Sequence, residues 1–70
     1  MAENFDVVGV VPTQRLVNGT QLSDVIELTG VTKPHGVMFT VEAAKAPGWK
    51  DAILAAAERE AAELESVFGL

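Results

Sequence analysis

Hydrophobic and polar positions along the chain predict three extended segments followed by a helix. From Phe5 to Val11 the run Phe-Asp-Val-Val-Gly-Val-Val is rich in valine, whose branched Cβ suits a pleated strand better than a helix. Pro12 has no N–H for a ladder, so a bend, bulge or edge is expected at Val11-Pro12-Thr13 before pairing resumes through Gln14 to Val17. Asn18-Gly19 offers two residues that tolerate positive φ and predicts a two-residue type I′ hairpin turn. The second strand, about Leu22 to Val31, sets Leu22, Asp24, Ile26 and Leu28 on one side, with Ile26 and Leu28 expected in the core. Lys33-Pro34-His35-Gly36 reads as a reverse turn. Beyond it Val37, Phe39, Val41 and Ala43 alternate with more polar neighbours, predicting a third strand over 37–43.

After Lys45-Ala46-Pro47-Gly48 the period changes. Pro47 is acceptable at a first helical position, and Ile53, Ala57, Ala61, Leu64 and Phe68 recur at helical spacing until Gly69 ends the run. This stripe is expected to dock on Phe39 and Val41, with Trp49 anchoring its start and Glu65 on the wet face. The fold class that follows is α+β: a three-stranded antiparallel sheet, built from a β-hairpin plus a third strand, covered on one face by a C-terminal α-helix. Residues 1–70 form a single small domain, with no internal repeat and no linker.

Apolar residues are in surplus. Alternation puts valines on both sides of the first strand, while one helix covers one face, so Val8, Val10, Val25 and Met38 are expected on an uncovered face that a second chain could bury. On the helix, Glu58, Glu60, Glu63 and Glu65 are answered locally only by Arg59. Such a run is often a solvated face, yet acid near a helix C-terminus opposes the macrodipole, and a basic partner surface would relieve it. Glu58, Glu63 and Glu65 therefore join the candidate protein interface.

Composition narrows the function classes. Ten acidic residues against five basic ones give a net charge of -5, which would repel a phosphate backbone, so nucleic acid is not an expected partner. The start Met1-Ala2-Glu3-Asn4 lacks the features of a signal peptide, and no apolar run approaches a membrane span, so neither secretion nor membrane insertion is expected. With no cysteine and a lone His35, no metal site or cofactor is expected. Ser23-Asp24 and His35 come without a nucleophile elbow or oxyanion turn, and the well-separated glycines form no phosphate loop. Neither catalysis nor a small-molecule substrate is expected.

The segment Gly36-Val37-Met38-Phe39-Thr40-Val41, a basic residue with a Pro-Gly-Trp break, and the closing run Ala61-Ala62-Glu63-Leu64-Glu65-Ser66-Val67-Phe68 together resemble small virion-associated structural proteins of tailed bacteriophages. The resemblance covers roughly the C-terminal half and transfers no functional residue. It implies a structural or assembly subunit of the head or tail, located in the virion or host cytoplasm and contacting copies of itself and other particle subunits. The alternative is an acidic protein-binding module, inhibitor- or antitoxin-like, that masks a basic surface.

Overall fold

The computed structural model describes residues 4–69. Strands β1 (Phe5–Val17), β2 (Gln21–Thr32) and β3 (Met38–Ala44) precede helix α1 (Trp49–Ser66), which tightens into a 3₁₀ turn over Val67–Gly69. The sheet is antiparallel in the order β1-β2-β3, and α1 packs on one face of it, as the hydrophobic pattern predicts.

The turn chemistry is visible in the backbone. Asn18 and Gly19 hold φ values of 57° and 76°, and the Thr20 N–H donates to the Val17 carbonyl across 3.3 Å. This is the expected pair of left-handed residues, but Val17 faces Gln21, so the loop holds three residues, Asn18 to Thr20, instead of two. The second connection runs through Lys33-Pro34-His35-Gly36, where Gly36 has φ 72° and its N–H donates to the Thr32 carbonyl at 2.9 Å. The helix starts later than expected: Gly48, at φ 85°, is the N-cap, and Pro47 precedes it.

Pro12 does not interrupt β1. That strand is an edge, and Pro12 stands opposite Ile26 within a continuous ladder. The irregularity lies earlier, where Val7 faces Gly30 and Gly9 faces Thr29, leaving Val8 as an extra residue. This insertion reverses the alternation of everything after it. Val10 thereby comes opposite Leu28, on the helix side of the sheet, and Val11 comes opposite Glu27, on the other.

Phe5, Ile26, Leu28, Phe39, Ile53, Ala57 and Ala61 form the buried core, with Val41, Ala43, Trp49 and Leu64 packed against it. Burying a side chain of the Leu, Ile or Phe size stabilises by about 1.5–3 kcal/mol, and the alanines of α1 let its backbone come close to the sheet. Gly30 is required by the same packing, because a Cβ there would lie 2.9 Å from Phe39 Cζ and 3.1 Å from the Asp6 carbonyl oxygen. Phe39 meets Phe5 edge-on, with ring centroids 5.7 Å apart at 78°.

Phe68 departs from the predicted stripe. The helix ends at Ser66, and the 3₁₀ turn carries Phe68 away from the core onto the face of His35.

Candidate functional site

Length sets the shape of this molecule. A 13-residue strand at about 3.3 Å per residue is roughly 43 Å long, whereas an 18-residue helix at 1.5 Å per residue covers about 27 Å; β1 and α1 have these residue counts. Since β3 pairs β2 only from Val25 to Val31, the turn-proximal parts of β1 and β2 project as a two-stranded ribbon. The resulting body measures 41 × 25 × 16 Å.

On the helix side the ribbon carries the Leu16–Leu22 pair at its end and the hydrogen-bonded Gln14–Asp24 pair at its base. Register places Val7, Val10, Pro12, Gln14 and Leu16 of β1 on that side, opposite Gly30, Leu28, Ile26, Asp24 and Leu22 of β2. The helix lies mainly over β2 and β3, so Val7, Val10, Leu16 and Leu22 remain 50, 45, 58 and 61 % exposed. Between β1 and the first turns of α1 runs a groove of about 210 Å³, lined by Val7, Val10, Leu28, Trp49, Ile53 and Leu54, with Lys50 as its one charged wall. The Lys50 ammonium sits 5.8 Å from the centre of the Trp49 ring. Beyond the groove, the same face continues along the ribbon to the Leu16–Leu22 pair.

The opposite face is different. Val25 and Met38 do stand there, with Val11 and Val17 on β1, but among Glu27, Thr29, Thr40 and Glu42. Arg15 pairs with Glu42 across that face at 2.5 Å, and the hydroxyls of Thr29 and Thr40 approach to 3.4 Å. Of the sequence-predicted interface residues, Val25 and Met38 therefore share the uncovered face, Val8 occupies the bulge, and Val10 belongs to the groove on the helix side. The placement of Val10 is corrected by the Val8 insertion, which alternation alone does not reveal.

Glu58 and Glu63 are exposed on α1, but Glu65 is not on the wet face. Its side chain is only 16 % exposed. The Thr32 hydroxyl donates to Glu65 Oε2 at 2.7 Å, the His35 N–H donates to the same oxygen at 3.2 Å, and His35 Nδ1 lies 2.5 Å from Oε1. Thr32 Oγ1 in turn accepts the Val37 N–H at 2.9 Å, and the Phe68 ring stacks on His35 at 4.0 Å. Burial alone would push the Glu65 carboxyl up, but the hydrogen bonds from the His35 side chain, the Thr32 hydroxyl and the His35 backbone, with the His35 charge, hold it below its ordinary value. Relief for the acidic helix end thus comes from within the chain. This cluster ties α1 to the β2–β3 turn, and sequence spacing carries no signal for it.

Among the described residues no group of three or more histidine, cysteine or carboxylate side chains could hold a metal ion, and no helix is long and apolar enough to cross a membrane. What the geometry defines is a two-layer α+β module with a projecting ribbon and a bare apolar half-face. Compared with protein-family models, curated proteins and solved structures, the chain matches none.

Proposed function

We propose that this chain is a non-enzymatic structural or assembly subunit that acts through protein–protein contacts, within a particle of the tailed-phage kind that its C-terminal half resembles. The observation that carries this reading is the apolar surface left on the helix side, from the Val7–Val10–Leu54 groove to Leu16 and Leu22 at the ribbon's end. An isolated two-stranded ribbon is marginal in water, and exposed apolar side chains in this number, here interrupted by the hydrogen-bonded Gln14–Asp24 pair, are a usual mark of a surface another protein covers. Val25 and Met38 on the other face stand beside an ion pair and threonines, and contribute less.

The alternative, an acidic module masking a basic surface, draws on exposed Glu58 and Glu63 alone, because Glu65 is engaged by Thr32 and His35. The two readings separate on salt: apolar docking persists as ionic strength rises, whereas an acidic mask weakens. The direct test is to band intact particles from the chain's source on a density gradient and quantify this polypeptide in them by mass spectrometry. A fixed multiple copy number per particle is expected. Particles that lack the chain would overturn the assembly reading.

A further inference from the structure

We infer that the occupant of the groove is the ribbon of a second copy of this chain, in a two-fold pair in which each copy's Leu16 and Leu22 seat against the other's Val7, Val10, Leu28, Trp49, Ile53 and Leu54. This inference builds on the assembly reading above and names its first contact.

The size of the exposed surface points to such a pair. A compact chain of this mass would expose about 4,200 Å², and this one, at 7.4 kDa, exposes 4851 Å². Its radius of gyration is 13.2 Å, against about 11 Å for a compact domain of this length. The surplus of about 650 Å² per copy reflects the projecting ribbon, and a stable specific interface, at about 1,200–2,000 Å² in total, asks about 600–1,000 Å² of each copy.

The charges on this face suit a second copy. Although the chain carries -5 overall, Lys50 stands on the groove wall and Asp24 on the ribbon side, where Gln14 Nε2 donates to Asp24 Oδ1 at 3.2 Å and the Lys45 N–H donates to the Asp24 carbonyl at 3.1 Å. A two-fold contact requires that residue i of one copy meet residue j of the other and the reverse, and a Lys50–Asp24 pairing made twice satisfies this without opposing like charges. The spacing agrees as well. Asp24 lies two residues from Leu22, about 7 Å along a strand, and Lys50 lies one turn from Leu54, about 6 Å along a helix. Seating Leu22 beside the partner copy's Leu54 therefore brings Asp24 to the partner's Lys50, and symmetry repeats the pairing. Edge-to-edge joining of β1 is a poorer route, because the Val8 bulge and Pro12 both break the run of free ladder groups.

Light scattering across a concentration series, on the unaltered chain and on Asp24→Lys, Lys50→Asp and the double variant, tests the pair. Circular dichroism would first establish that each variant is folded. The unaltered chain should reach twice 7.4 kDa, each single variant should weaken the pair by about tenfold or more by opposing like charges, and the double variant should recover most of the loss. A mass of one chain at every concentration, or a dimer indifferent to the charge exchange, would overturn this inference. Neither result touches the assembly reading, which is decided separately by the presence of the chain in purified particles.

Discussion

Glu65 shows how one side chain changes role when the chain folds. On a helical projection it is one more acid in a solvated run; in the structure it is the centre of a network that joins Thr32, His35 and the helix end. Its carboxyl is held below its ordinary value in the folded state, so it contributes stability that is fully present above the unfolded-state value of about 4.3 and is lost as pH falls through the lower folded value. The midpoint of urea unfolding in the unaltered chain should therefore exceed that of Glu65→Gln at pH 6–7, with the gap closing as pH drops below about 4. A gap that is constant with pH would show that the carboxylate's ionisation has no part in the network. Glu63, on the exposed side of the same helix, lacks these bonds, and Glu63→Gln serves as the control.

At the scale of elements, periodicity predicts interiors better than ends. The inward alternation of Ile26 and Leu28, of Phe39 and Val41, and the stripe Ile53, Ala57, Ala61 and Leu64 are all where the pattern puts them, because burial on one face imposes a period of 2 or 3.6 throughout an element. The misplaced residues lie where the period changes. Val10 is displaced by the one-residue insertion at Val8, and Phe68 by the passage from α-helix to 3₁₀ turn after Ser66. Both changes arise from tertiary fit, and neither alters local composition. Ile53→Ala, at a fully packed position under Leu28, should cost about 2–5 kcal/mol, while Phe68→Ala, exposed against His35, should cost under about 1 kcal/mol. Chemical denaturation of the two variants checks this, and equal losses would contradict the assignment of Phe68 outside the core.

At the scale of the molecule the decisive quantity is a mismatch of lengths. A helix of about 27 Å cannot cover strands of about 43 Å, and Leu16 and Leu22, on either side of the Asn18–Gly19 turn, are the apolar residues left beyond its reach. Fold class, strand order and a surplus of apolar surface were legible in the sequence, but the full length of β1 was not, because Pro12 predicts an interruption that the edge position of the strand removes. Which face holds the surplus was not legible, because it depends on the Val8 bulge and on α1 settling over β2 and β3. The account therefore makes the helix side, and not the face of Val25 and Met38, the surface through which the chain assembles. Sedimentation velocity of the unaltered chain, Leu16→Asp and Met38→Asp at matched concentration tests this most directly. The account predicts that Leu16→Asp sediments as a single chain while Met38→Asp associates like the unaltered protein; dissociation by Met38→Asp with Leu16→Asp unaffected would contradict it.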